Sequence, residues 1–363
     1  MTDTRLARLR GTMAETGTDL LALGPGAHMQ WLLGFHPHAD ERPCLLLVGP
    51  RGEAFVMPKL NADAAAESTS LPMNRWADDE GPDAALASAL AAVGGEGART
   101  VALDETMRLD FGLLLLDRLP GAARTFCDAT VGRLRMSKDE GERATLKEEA
   151  AIADAAMEAA WAAMKPGMTE AEVAGAVKAS FAASGARALF TIIGAGRNGA
   201  FPHHATGETV LREGDAVVMD IGGTRSGMSS DITRMAVVGR APEGYAEVHA
   251  VVEAAVQAAM AVARPGVKAH EVDDAARGVI AAAGFGDRFL HRTGHGLGVE
   301  VHEPPYLTSV SQTVLEEGAV FSIEPGIYLP DRFGIRLEEI VYLTADGPEV
   351  LSSLPRDVTV VGA

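Results

Sequence analysis

Two stretches of the chain carry nearly the same pattern. "MKPGMTEAEVAGAVKASFAASGA" (residues 164–186) is echoed by "ARPGVKAHEVDDAARGVIAAAGF" (residues 263–285), about a hundred residues later. Each reads as a helix end, Pro-Gly, an acidic helix start and an alanine-rich helix closed by Gly185 or Gly284. The echo continues into strand-like runs, where "REGDAVVMDIGG" aligns with "EEGAVFSIEPGI" and sets Asp220 against Glu324. Farther on, Asp231 falls near the position of Glu338 in "GIRLEEIVYL". An acidic residue in apolar strand costs several kcal/mol unless something pairs with it. Core packing alone does not explain carboxylates recurring at matched strand positions. The repeat therefore predicts one domain of two related halves with a site between them.

What precedes the repeat has a different grammar. "CLLLVG" and "EAFVM" predict a hairpin around Gly49, Pro50 and Gly52; "TVALDE" predicts a strand and "DFGLLLLDRL" a helix. The first part is thus a smaller α/β domain, residues 1–135, and residues 136–363 form the second. At the boundary Ser137 is expected to cap a long helix, Glu140 completing a capping box and Pro166-Gly167 ending it. A chain of 363 residues suits two domains, and 47% hydrophobic residues supply their cores. With 32 basic against 50 acidic residues the net charge is -18, which argues against a nucleic-acid or anionic-membrane surface. Cys44 and Cys127 are the only cysteines and form no Cys-x-x-Cys motif. No signal-peptide or membrane-helix pattern occurs, so a reduced cytoplasmic protein is expected.

Half of the ten histidines fall in two clusters, His203 and His204, then His291, His295 and His302. Asp220, Asp231, His295, Glu324 and Glu338 together offer four carboxylates and one imidazole, a donor set for manganese, cobalt or zinc. Crowded carboxylates would raise one another's pKa unless cations sat among them. Two divalent ions roughly 3.5 Å apart would balance them and activate a bridging water. Taken singly, the aspartates could be turn or capping residues, and a histidine between glycines could belong to a loop. His249 and His270, on helical stretches, are assigned no function. Glu339 competes with Glu338, and only one can face inward on a strand; the repeat favours Glu338.

At this point the sequence resembles the pita-bread metallopeptidases, a group that includes prolidase, aminopeptidase P and methionine aminopeptidase. "DIGGTRSGMSSDITR" is similar to the family's two-aspartate segment, "HRTGHGLGVEVHEPPY" to its Gly-His-Gly segment, and "FSIEPGIYLP" and "GIRLEEIVYLT" to its two glutamate segments. The N-terminal part resembles, more loosely, the creatinase-type domain of prolidases and aminopeptidases P, which methionine aminopeptidases lack. The resemblance implies an α/β (α+β) protein whose C-terminal pita-bread domain has two pseudo-symmetric halves. It implies two divalent ions per subunit, manganese before cobalt or zinc. Asp220 would bind one metal, His295 and Glu324 the other, with Asp231 and Glu338 bridging. It also implies that His203 contacts substrate, His302 polarises the carbonyl, Glu324 shuttles a proton and Arg336 orients ligand carboxylates. Met228 stands where relatives commonly carry tyrosine, so a hydrogen bond beside the ligands is expected to be lost.

The activity so implied is hydrolysis of Xaa-Pro bonds in proline-containing di- or oligopeptides by a homodimer. Within it, an Xaa-Pro dipeptidase is favoured over an aminopeptidase P acting on longer peptides. Creatinase-like hydrolase or lyase chemistry, or a binding module, are the other readings of the same fold. The dipeptidase expectation rests on the loop "GFHPHADERPCLLLVG", where Arg42 is read as a mobile cation for the carboxylate that follows proline.

Overall fold

The structure is a computed structural model and describes residues 2–362. The chain divides into two compact units, Met1–Arg135 and Met136–Ala363. In the first, strands Leu45–Gly49 and Gly52–Pro58 form the expected hairpin, with Gly49 paired to Gly52. Gly52 turns at a φ of 137°, a conformation that favours glycine. The hairpin sits inside a mixed six-stranded sheet ordered Met73–Trp76, Gly52–Pro58, Leu45–Gly49, Leu20–Leu23, Thr100–Leu103 and Ala123–Phe126. Leu20, Leu47 and Val56 from this sheet pack on Leu86 and Leu90 of helix Asp83–Val93 and on Phe111 and Leu115 of helix Leu109–Asp117.

The second unit has a four-stranded and a five-stranded sheet, each backed by a pair of helices, and a two-stranded ribbon of Gly326–Leu329 with Phe333–Arg336. Helices Glu140–Ala163 and Glu170–Ala183 cover the sheet containing Arg187–Ala195, Ala216–Thr224 and Ile232–Val238. Helices Tyr245–Val262 and Ala269–Ala282 pack on the sheet containing Gly294–Gly296, Val320–Ile323 and Glu339–Thr344. Gly185 and Gly284 follow the matched helices at φ 69° and 86°, as the repeat requires. The strand period of two then decides where the acidic residues go. Val217, Met219 and Ile221 face the first helix pair, whereas Ala216 and Val218 join the core of the other half. Asp220 is in step with Ala216 and Val218, so it points away from the first helix pair. In the second sheet Phe321 and Ile323 face their helices, which turns Ser322 and Glu324 to the opposite side.

The start of the long helix differs from the sequence expectation. Asp139, not Ser137, is the N-cap; its side chain accepts from the Glu142 backbone, and Glu142 returns the bond to complete the capping box. Ser137 pairs instead with Ala319 in an isolated bridge, and the Lys138 amide donates to the Gly318 carbonyl. Those backbone bonds hold 137–138 extended, so the helix can begin only two residues later. Both cysteines are buried and free. Among the described residues no helix is long and apolar enough to cross a membrane.

Candidate metal centre

His295 is set by the backbone that crowds it. A Cβ built on Gly294 would lie 1.8 Å from the Ser322 carbonyl oxygen, and one on Gly296 would lie 2.2 Å from that of Pro304. Only glycine on both sides lets this short strand slot between its neighbours. The His295 amide donates to Ser322 Oγ at 2.9 Å, and its Nδ1 donates to the Gly296 carbonyl at 3.1 Å. A carbonyl only accepts, so Nδ1 is the donor to it, and Nε2 is the nitrogen left to face the acidic residues. That nitrogen lies 3.0 Å from Glu324 Oε1 and 3.7 Å from Asp231 Oδ2.

Four sequence-distant carboxylates converge here. Ligand atoms of Asp220, Asp231 and Glu338 lie within 4.8 Å of one another, as do those of His295, Glu324 and Glu338. His302 also reaches the Asp231 and His295 side, its ring 4.1 Å from that of His295. Glu338 Oε2 accepts from Thr233 Oγ1 at 2.8 Å, and Glu324 Oε1 from Ser322 Oγ at 3.0 Å. Asp220 Oδ1 and Glu338 Oε1 are buried and accept nothing. Buried oxygens are normally satisfied. Two orphans within one acidic cluster are what a set of cation ligands looks like without its cation.

The electrostatics agree. Burial pushes Asp231 well above the usual carboxylate range, and Glu338, Asp220 and Glu324 push it further. Glu338 is likewise raised, by burial and then by Glu324 and Asp220. Burial raises Asp220 too, although Arg336 pulls against it. Burial would also raise Glu324, but the His295 hydrogen bond and charge prevail and hold it low. Oxygen-rich ligands with one imidazole fit hard or borderline divalent ions, and Arg336 alone does not neutralise four carboxylates.

Arg336 ties the centre to its surroundings. It donates to Asp220 Oδ2 at 2.5 Å, to Thr233 Oγ1 at 3.1 Å, to the Tyr328 hydroxyl at 2.9 Å and to the Pro202 carbonyl at 3.3 Å. His291 extends the chain. Its Nδ1 donates to the Arg292 carbonyl, leaving Nε2 to accept from the Tyr328 hydroxyl at 2.7 Å. Burial lowers the His291 pKa to about 4, as this neutral tautomer requires. Thr233 and Tyr328 were missed in the sequence. Tyr328 lies four residues beyond Glu324, on the next strand, and spacing alone gave it no role.

His203, His302, Asp220, Asp231, His295, Glu324 and Arg336 line one cavity of about 660 Å³, with Phe190, Ile192, Pro202 and Val301 as apolar walls. Burial, with His295 and Arg292 nearby, lowers the His302 pKa to about 4. The segment carrying His203 is anchored by Glu170, which is fully buried. Its carboxylate accepts from the Ala195 and Gly207 amides, the Asn198 side chain and His204 Nε2. Glu339 turns to the other side of its strand, against Arg234 at 3.1 Å and Arg356 at 2.7 Å. His249 bonds the Arg356 carbonyl and His270 bonds Asp274.

Met228 packs in an apolar cluster with Leu146, Leu297, Val320, Ile340 and Tyr342. One expectation needs correcting. Arg42, read as a mobile cation, is instead pinned within the N-terminal unit. Its Nε and Nη2 bond Asp78 at 2.9 and 3.0 Å, while Nη1 bonds Asp40 at 3.2 Å and Glu41 at 3.1 Å.

A two-halved α/β domain with a carboxylate-rich centre where its halves meet defines a class of metal-dependent hydrolases. The chain belongs to metallopeptidase family M24, which residues 144–345 match, and residues 5–137 match the creatinase/prolidase N-terminal domain. The family implies use of divalent metal. The "Probable dipeptidase PepE" of Mycobacterium tuberculosis is 38% identical over 98% of this chain and 96% of its own. The "Xaa-Pro dipeptidase" of Pyrococcus horikoshii is 31% identical over 95% of this chain and 96% of its own. Among solved structures, the prolidase of Thermococcus sibiricus superposes with a TM-score of 0.92 at 31% identity, covering 99% of both chains.

Proposed function

We propose that the protein is a dinuclear metallo-exopeptidase that hydrolyses Xaa-Pro dipeptides. The observation that carries this is the pair of orphaned oxygens, Asp220 Oδ1 and Glu338 Oε1, in an acidic cluster that opens on a cavity with apolar walls. Asp220, Asp231, His295, Glu324 and Glu338 would hold two divalent ions, manganese first and cobalt or zinc next. When bound, they supply Lewis acidity and lower the pKa of water towards neutrality. Glu324, oriented by Ser322, accepts a proton at its carboxylate and passes it to the leaving nitrogen. His302 is neutral across the physiological range, so it donates through an imidazole N–H to the developing oxyanion without adding charge. His203 contacts the substrate from the opposite segment. Arg336, through Asp220 and Thr233, fixes ligand orientation. Phe190, Ile192, Pro202 and Val301 offer the apolar surface a proline ring needs.

Dipeptidase is preferred to aminopeptidase because curated relatives spanning the whole chain carry dipeptidase names. Arg42, held on three carboxylates, is not part of this reading. A cytoplasmic homodimer completes it. A panel of Xaa-Pro dipeptides, Xaa-Pro-Yaa tripeptides and proline-free dipeptides, assayed with added Mn²⁺, is the test. Preferential turnover of Xaa-Pro dipeptides is expected. Preference for tripeptides would make the enzyme an aminopeptidase, and no turnover of any proline peptide would overturn the proposal.

A further inference from the structure

A dipeptide cut after its first residue ends in a carboxylate directly beyond the proline ring. An enzyme that selects dipeptides needs a cation facing that position, and Arg42 is already committed elsewhere. The cavity has two arginines on its lining, Arg336 and Arg292. Arg336 is spent on Asp220, Thr233, Tyr328 and Pro202. Arg292 is different. Among the described residues its guanidinium makes no ion pair and no hydrogen bond, although carboxylates are plentiful in this acidic chain. Its one side-chain contact of note is the ring of Tyr306, with the guanidinium carbon 4.5 Å from the ring centroid. Stacking on an aromatic face restrains a guanidinium while leaving its N–H edge free to donate. Arg292 is half-buried at the cavity wall, so the restraint does not remove it from the aqueous path of a substrate.

Its position in the chain fits the same role. Arg292 follows His291, whose ring is locked by Tyr328 and by the Arg292 carbonyl itself. It precedes Thr293, which Asp273 grips at backbone and hydroxyl. The backbone under Arg292 is thus fixed on both sides while its side chain stays uncommitted. A fixed base with an unpaired fork is a preorganised receptor for a carboxylate.

We infer that Arg292, stacked on Tyr306, binds the terminal carboxylate of the dipeptide and so sets the preference for dipeptides over longer chains. The inference rests on the proposed dipeptidase reading. A carboxylate meeting this fork gains charge-assisted hydrogen bonds. A tripeptide places a neutral amide there and continues past it. The residue is a specificity determinant and takes no part in bond cleavage.

The experiment compares wild type, Arg292→Ala and Arg292→Lys, each reconstituted with Mn²⁺ and checked for metal content. Three substrates share one Xaa-Pro core: the free dipeptide, its C-terminal amide and an Xaa-Pro-Yaa tripeptide. For Arg292→Ala, kcat/KM on the free dipeptide should fall roughly tenfold to a hundredfold, carried mainly by KM. On the amide and tripeptide it should stay within about twofold, with metal content unchanged. Arg292→Lys should recover part of the loss, because it restores charge without the two-pronged geometry. Equal losses on acid and amide, or no loss on the acid, would overturn the assignment. If wild type cleaves only proline-free dipeptides, the proline reading fails, and the same acid-against-amide contrast on those substrates still decides Arg292.

Discussion

Glu338 and Glu339 are adjacent, both acidic and both buried, yet their removal should have opposite consequences. Glu339 neutralises Arg234, which is fully buried, and also holds Arg356. Removing one partner of a buried ion pair typically costs 3–5 kcal/mol, because the other charge is left in a poor solvent. Arg234 keeps carbonyl acceptors from Thr233, Leu354 and Pro355, and Arg356 keeps Glu253. The lower end, about 3 kcal/mol, is therefore expected for Glu339→Ala. In a domain of this size a kcal/mol moves Tm by about 2–4 °C, so Tm should fall by roughly 6–12 °C. Metal content and turnover, measured below that transition by elemental analysis and peptidase assay, should stay near wild type. Glu338→Ala should do the reverse. It removes a charge from a mutually repelling cluster, so the metal-free protein should keep or gain Tm, while metal content and activity are lost. If Glu339→Ala empties a metal site and spares Tm, the strand register is wrong by one residue and the ligand set with it.

The metal-free protein should respond to pH in a definite sense. Asp231 and Glu338 have pKa values raised in the folded state, so the folded form holds protons that the unfolded form releases. Their contribution is present at acid pH and is lost as pH rises from the ordinary carboxylate range through the raised values. The Tm gap between metal-loaded and stripped protein should consequently widen as pH rises above the ordinary carboxylate range; a constant gap by scanning calorimetry would refute this. Glu170 should act through the His203 segment. Glu170→Gln should lower kcat/KM about tenfold in wild type, the scale of losing one charge-assisted bond, but have little further effect in a His203→Ala background. Additive losses in the double mutant would assign Glu170 to general stability instead.

Much of the centre was legible because strand alternation and the internal repeat act together. The repeat matched Asp220 with Glu324 and Asp231 with Glu338, and the period of two left each on one face. Alternation alone could not choose between Glu338 and Glu339. That choice is made by Arg234 and Arg356, which wait on the other side and are unmarked in sequence. The helix start was misplaced by two residues for a similar reason. Ser137 has the right chemistry for a cap, but its backbone is claimed by Ala319, far along the chain. Arg42 was read against its neighbours Glu41 and Pro43, whereas its bidentate partner is Asp78. The Arg336–Tyr328–His291 chain was likewise invisible, since each bond joins a different strand or loop. Local chemistry reads from local sequence; partners brought by topology do not.

On the proposed function, the five converging side chains hold two divalent ions on which hydrolysis depends. Titration of chelator-stripped protein with Mn²⁺, following Xaa-Pro dipeptide hydrolysis and bound metal together, is the decisive measurement. Activity should be absent without metal and should reach its plateau at two equivalents per chain. Full activity in the stripped protein, or a plateau with Asp231→Ala indistinguishable from wild type, would contradict it.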